Sequence, residues 1–153
     1  RNETIMNSIR YIEKEYGLDD DTIIVTHDSV RPFLTYRIIE DNIRYAQEYG
    51  ACDTVIPASD TIVESAGHEI ISNIPDRSIM YQGQTPQSFH AKRLREVFDE
   101  LSEEEKTILT DACKILVLKG DAIHLVEGEV FNIKITYPYD LRVAETLIKG
   151  EEK

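Results

Sequence analysis

The chain has no tryptophan, two cysteines, two methionines, five prolines and seven glycines in 153 residues. Cys52 and Cys113 lie far apart and form no CxxC pair. A disulfide scaffold and a cysteine-rich zinc site are thereby excluded, and both are expected to be reduced thiols. Cations are scarce: 17 Lys and Arg face 29 Asp and Glu, a net charge of −12. A broad nucleic-acid surface, which needs clustered Lys and Arg, does not fit that balance. A small anionic ligand does, if a few placed cations and a divalent metal hold it. No apolar run approaches membrane-spanning length and no signal peptide is visible, so no membrane association is expected and a cytoplasmic location is. The histidines, His27, His68, His90 and His124, fall at no metal-ligand spacing. No Ser/His/Asp or Cys/His triad emerges, so none of them is assigned a catalytic role.

What is present is one globular domain over residues 1–153, 41% hydrophobic and 30% charged, with no internal repeat. The chain is organised around Thr22–Pro32. Thr22-Ile23-Ile24-Val25 is a short β-favouring run without alternation, which reads as a strand buried on both faces. It ends abruptly in Thr26-His27-Asp28-Ser29-Val30-Arg31, closed by Pro32. A strand that ends in acid, hydroxyl and guanidinium before a helix marks the ligand-bearing edge of an α/β sheet.

Around it, Thr4–Tyr16 carries Ile5, Met6, Ile9, Ile12 and Tyr16 at helical spacing, with Gly17 as its stop. The acid run Asp19-Asp20-Asp21 reads as a solvated turn, since adjacent carboxylates diverge there. Thr35 can cap a helix through Tyr49, with Ile38, Ile39, Ile43 and Ala46 inward and Gly50 ending it. Asp53–Pro57 is a short strand. Residues 58–82 read as a protruding β-hairpin arm, Thr61–Glu64 and Ile70–Ile74 joined by a Gly-containing turn. An isolated hairpin is marginal in water, so it needs a surface, and a second subunit is an economical one.

Gly83–Phe89 reads as a tight polar loop, followed by a helix over Ala91–Leu101. Ser102 and Glu105 form a capping box for the next helical piece. Ala112–Leu118 continues as helix, Ala122–Val126 and Asn132–Thr136 as strands, and Asp140 caps a last helix through Lys149. The expected fold class is therefore α/β, a mixed, mostly parallel Rossmann-like sheet flanked by helices.

Several residues could carry chemistry. Asp28 is either a hard oxygen ligand for Mg²⁺ or an ordinary turn residue. Ser29 and its amide can reach the same ligand. Arg31 can hold a phosphate bidentately or make a plain ion pair. Lys134 sits between two isoleucines, and either snorkels at an edge or points into a site. Thr85, fixed by Pro86, either faces a ligand or caps the following helix. Thr110-Asp111 interrupts a helix and can be only a cap. Arg77 at the base of the arm can be a surface residue.

Read together, RNET, THDSVRP, Asp60-Thr61, Pro75-Asp76-Arg77, QTPQSF, Leu109–Ala112, EGEVFNIKIT and PYDLRVAE resemble the sugar-phosphate cytidylyltransferases along essentially the whole chain. The resemblance implies a nucleotidyltransferase fold and transfer of CMP from CTP to a sugar-alcohol phosphate, with release of pyrophosphate and help from Mg²⁺. It implies that Arg1, Asn2 and Thr4 end the loop that recognises cytosine and ribose. Asp28 would contact Mg²⁺ and the nucleotide, with Ser29 beside it on CTP. Lys134 would hold the attacking phosphate. Arg77 and Thr61, on an arm that embraces a second subunit, would bind the acceptor in a homodimer. Arg31, Thr85 and Thr110 lie in the family's acceptor-site loops.

Two branches of the family compete. Ser29-Val30 stands where the methylerythritol-phosphate branch usually has Ala-Ala, and Met80–Gly83 lacks its Leu-Trp. Both departures favour the ribitol 5-phosphate branch, whose product, CDP-ribitol, serves teichoic acid or capsule synthesis. The methylerythritol-phosphate enzyme of isoprenoid synthesis is the alternative, and a non-catalytic dimerisation or nucleotide-binding remnant is the non-enzyme one. The family also opens with a strand and a Gly-rich loop carrying Arg and Lys, and nothing here matches it. The expectation is a C-terminal portion of the fold that on its own has little activity.

Overall fold

The computed structural model describes residues 2–107, 109 and 111–151. It opens on α1 (Asn2–Tyr16), which buries Ile5, Met6 and Ile9 at the expected spacing. Tyr16, expected inward, is instead 81% exposed at the last position of the helix. Strand β1 (Ile23–Thr26) leads to α2 (Tyr36–Tyr49). The Thr35 hydroxyl accepts from the Ile38 amide, and Gly50, at φ 89°, closes the helix in a conformation that a side chain would strain. Ile38 and Ala46 of α2 are buried, whereas Ile43 is 38% exposed. Asn42, on the same face, takes a fully buried position.

Next come β2 (Ala51–Pro57), β3 (Tyr81–His90) and α3 (Ala91–Asp99), which leads into α4 (Glu103–Thr107) and α5 (Ala112–Leu118). Strand β4 (His124–Glu127) and α6 (Pro138–Glu151) complete the described chain. The capping box at α4 is reciprocal: the Ser102 hydroxyl accepts from Glu105 N–H, and the Glu105 carboxylate accepts from Ser102 N–H. At α6 the helix begins two residues before Asp140, with Pro138 in its first turn. The Asp140 carboxylate reaches back to the amides of Thr136 and Tyr137, which hold its pKa below the usual carboxylate value.

The sheet order is β1-β3-β2-β4. β3 is antiparallel to both neighbours, and β2 and β4 are parallel. Hence β1, β2 and β4 share one direction and β3 runs against them. One face packs on α1, α3 and α5 through Met6, Ile9, Phe89, Leu94, Val97 and Ile115. The other meets α2 around Ala46, Cys52 and Val126. The architecture is the expected mixed α/β one, but four local expectations change. Gly83–Phe89 is the middle of the sheet, not a loop. β1 lies at an edge of the described sheet, and Val25 is 38% exposed rather than buried on both faces. Residues 132–136 lie beside the loop after β1, tied to it by Ile135 N–H on the Val30 carbonyl, but form no strand. The arm is a long exposed loop with one isolated antiparallel bridge, Glu64 to Asn73, rather than a paired hairpin. The physical reason is that two strands alone cannot offset the entropy of ordering them.

Both cysteines are free and buried. Burial pushes the Cys52 thiol up to about 12 and that of Cys113 further up. Neither is expected to react with an alkylating reagent at pH 8 in the folded protein, and both are expected to react once it is unfolded. A folded pKa raised above the ordinary value of about 8.5 also gives linkage a sign: stability is intact below that pH and falls as pH rises toward 12. A thiol titrated rapidly in native buffer would contradict the burial.

Candidate functional site

At the end of β1 the chain turns sharply, with Arg31 N–H donating to the Asp28 carbonyl at 2.9 Å. The turn brings Asp28 and Arg31 to the same side. Oδ2 of Asp28 lies 3.6 Å from Arg31 Nε and 3.4 Å from Lys134 Nζ. The pairs are unequal in burial: the side chains of Asp28 and Arg31 are 15% and 11% exposed, that of Lys134 is 49% exposed. One carboxylate thus gathers two cations from segments about a hundred residues apart, and the ammonium of the outer one faces solvent.

Lys134 reaches this point through two anchors. Ile135 N–H donates to the Val30 carbonyl at 2.9 Å, tying its segment to the loop after β1. Fully buried Asn132 donates from Nδ2 to Gln84 Oε1 at 3.1 Å and to the Thr85 carbonyl at 2.9 Å, tying it to β3. Gln84 Nε2 in turn donates to the Glu129 carbonyl. Gly128 makes this possible: a Cβ there would lie 2.4 Å from Gln84 Oε1. Arg31 then bridges all three segments, donating from Nη1 to the Asn132 carbonyl at 2.8 Å and from Nη2 to the Gly83 carbonyl at 3.4 Å. The guanidinium fork suits this role, since one planar group serves several acceptors at once.

Beside this cluster lies an open cleft of about 280 Å³, lined by Thr4, Ile5, Thr26, His27, Asp28 and Ser29. It unites Thr4, Asp28 and Ser29, three of the residues expected on the nucleotide side. Thr4 and Ser29 are exposed, and Asn2 stands in the first turn of α1. Asp28 therefore both lines the cleft and pairs with Lys134 and Arg31.

The remaining candidates are placed differently. Thr85 is 1% exposed, and its hydroxyl is engaged by Asp28 N–H and by His27. It supports the loop from inside, where a ligand contact was expected. Arg77 heads a short 3-10 helix at the arm's base and donates to the Ser59 carbonyl. Thr61 is exposed on the arm. Both belong to the arm rather than to the edge that carries Asp28. Arg1 and Thr110 lie outside the described residues. Asp111, next to Thr110, does cap α5, its carboxylate accepting from Lys114 N–H and from Gln87 Nε2.

Sequence reasoning gave no role to His27, Gln84 or Asn132. The one local signal was a histidine adjoining the candidate acid at a strand end. For the two amides the signal was conformational, because a buried Gln or Asn in a Gly- and Pro-bearing stretch looks like a loop residue until its partners are seen.

Among the described residues no group of three or more His, Cys, Asp and Glu side chains could hold a metal ion, and no helix is long and apolar enough to cross a membrane. A family model described as 2-C-methyl-D-erythritol 4-phosphate cytidylyltransferase matches residues 1–150. The crystal structure of 2-C-methyl-D-erythritol 4-phosphate cytidylyltransferase from Thermus thermophilus is 30% identical, with a TM-score of 0.74 over 93% of this chain and 67% of that one. The Francisella tularensis enzyme of the same name is 25% identical, with a TM-score of 0.84 over 95% and 66%. A structure of 4-diphosphocytidyl-2C-methyl-D-erythritol synthase is likewise 25% identical, with a TM-score of 0.82 over 96% and 66%. The chain thus spans about two thirds of the length of these relatives. With nearly its whole length matched by the family model, the chain belongs to the 2-C-methyl-D-erythritol 4-phosphate cytidylyltransferase family.

Proposed function

We propose that the protein transfers CMP from CTP to a sugar-alcohol phosphate, and that the acceptor is 2-C-methyl-D-erythritol 4-phosphate. The observation that carries this reading is Asp28, which lines an open cleft with Thr4 and Ser29 and whose carboxylate also pairs with the two cations of Lys134 and Arg31. In this reading the nucleotide lies on the cleft side and the acceptor's phosphate on the Lys134 side. A phosphate oxygen of the acceptor forms a bond to the α-phosphorus of CTP, and the bond from that phosphorus to the bridging oxygen breaks. Pyrophosphate leaves with the electron pair. Positioning and charge neutralisation supply most of the rate enhancement in such a step.

A single carboxylate fits a Mg²⁺ ion that arrives on the triphosphate, since Mg²⁺ keeps several waters and takes only one or two protein carboxylates beside substrate phosphates. Asp28 would hold it, and the ion when bound would offset charge on the α-phosphate and on pyrophosphate. Lys134 binds and orients the acceptor phosphate. Arg31 binds mainly to the protein and keeps the loop in place.

The acceptor follows the family model and the three enzymes described above, all of the methylerythritol branch. Ser29-Val30 and the absence of Leu-Trp before Gln84 support ribitol 5-phosphate as a second reading. Pyrophosphate release by the full-length gene product, with CTP and each acceptor in turn, decides between them. The expected result is at least a tenfold preference for the methylerythritol phosphate, and the reverse preference would install the ribitol reading. No release with either, together with no heat of binding for CTP and Mg²⁺, would remove the enzymatic reading.

The arm extends this proposal to a homodimer. Ile70, Ile71, Ile74 and Ile79 are 56–78% exposed on it, and such a chain of apolar side chains gains by lying on another subunit. Arg77 and Thr61 would then serve the neighbouring site. A solution mass of one chain at micromolar concentration would remove this part.

A further inference from the structure

His27 sits between the candidate acid and the end of β1, and its two ring nitrogens are both engaged. Nε2 lies 2.9 Å from the Arg31 carbonyl oxygen, and Nδ1 lies 2.9 Å from Thr85 Oγ1. Thr85 Oγ1 is in turn 3.0 Å from the Asp28 amide nitrogen. The direction of each bond follows from what the groups can do. A carbonyl only accepts, so Nε2 carries a hydrogen. An amide N–H only donates, so Thr85 Oγ1 accepts there and keeps its single hydrogen for another partner. Nδ1 without a hydrogen is that partner. The relay thus has Nε2 donating to the Arg31 carbonyl, the Asp28 amide donating to Thr85 Oγ1, and Nδ1 facing that hydroxyl.

The relay spans two strands. Thr85 is 1% exposed on β3, and His27 and Asp28 follow β1. The bonds that run from His27 therefore close the loop at both ends, Thr85 to Asp28 at one and the Arg31 carbonyl at the other. That loop carries Asp28 and Arg31, and Val30 within it accepts the hydrogen bond that seats Lys134's segment. We propose that His27 is a positioning residue: held in its Nε2–H form, it fixes the Thr85 hydroxyl on the Asp28 amide and so sets where the Asp28 carboxylate stands relative to Lys134 and the cleft. Both of its ring nitrogens are taken up by protein groups, so the role assigned to it is one of positioning. The proposal rests on the cytidylyl-transfer reading only for its kinetic consequence.

Two kinds of measurement test it. The first does not require activity. In the full-length protein nitrogen NMR is expected to show His27 Nε2 carrying a hydrogen. Hydrogen exchange of the Asp28 amide is expected to be slow, and to quicken at least tenfold in Thr85→Val and His27→Ala but not in Lys134→Ala. An Nδ1–H tautomer, or an exchange rate unmoved in His27→Ala, would overturn the proposal. The second is kinetic. His27→Ala is expected to lower kcat about a hundredfold, the scale of a misplaced catalytic group, with KM for CTP within about threefold. His27→Asn, whose Oδ1 can still accept from Thr85, is expected to recover part of that loss. Unchanged kcat in His27→Ala beside an active wild type would also overturn it. A wild type that transfers nothing would strike the function reading instead and leave the amide and tautomer measurements to judge the relay.

Discussion

Replacing Lys134 with alanine is expected to lower kcat for cytidylyl transfer about a hundred- to a thousandfold, the cost of removing one preorganised group from a developing charge. The variant should remain folded. The Lys134 side chain is 49% exposed and its ammonium makes one partly solvated ion pair, and such pairs contribute little to stability, about 0–1 kcal/mol. Its removal still changes the site, because Asp28 Oδ2 is left with Arg31, at 3.6 Å, and a phosphate dianion would then approach an acid with one neighbouring cation removed. KM for the acceptor is expected to rise along with the fall in kcat, while binding of CTP, read by calorimetry, stays within about threefold. Lys134→Arg is not expected to restore the rate, because a planar fork cannot replace a compact ammonium at the same point. A variant that turns over within threefold of wild type would remove Lys134 from the mechanism.

The second large effect is expected from Asn132→Leu. Asn132 is fully buried and its amide satisfies Gln84 Oε1 and the Thr85 carbonyl. Leucine has a similar size and no donor, so both acceptors are left buried without their hydrogen bonds. Each such orphan costs about 1–3 kcal/mol, which places the loss at about 2–6 kcal/mol against a total stability of about 5–15 kcal/mol. Activity should fall with stability, since the Asn132 side chain anchors to β3 the segment whose main chain holds Arg31 and which carries Lys134 two residues on. Chemical denaturation gives the measurement: a stability within about 0.5 kcal/mol of wild type would show that the network relaxes without cost. Asn132→Asp, of the same shape, would set a buried carboxylate against both acceptors and is expected to cost at least as much.

The helices were legible because their signals are local. Thr35 and Gly50 bracket α2, Ser102 and Glu105 open α4, and Ala112–Leu118 needed only period and composition. The strand-end loop at Asp28 was equally plain, since an apolar run breaking into charged and hydroxyl residues can be read without any partner. Strand β3 was not. Gly83, Gln84, Pro86, Gln87 and Ser88 belong by composition to a turn. They lie in the centre of the sheet because distant side chains meet their polar groups: Asn132 for Gln84, Asp111 for Gln87, Asn42 for Ser88. Residues 132–136 misled in the opposite sense. Their alternation is real, yet only Ile135 makes a backbone bond to the loop after β1, so no ladder forms. The encounter of Lys134 with Asp28 rested on family likeness alone, since no rule of spacing relates positions so far apart. His27 escaped notice for the same reason: its meaning depends on a hydroxyl 58 residues away.

The place of β3 between β1 and β2 also bears on how the protein is made. Ile23 pairs with His90 and Cys52 with Ser88, so the strands synthesised first have their shared neighbour delivered last of the three. On the ribosome, β1 and β2 emerge with α2 between them, well before the strand that joins them in the sheet. Pairings across such sequence distances slow assembly. A nascent chain stalled before Tyr81 would therefore leave the β3-facing edges of β1 and β2 unpaired, a state prone to aggregation.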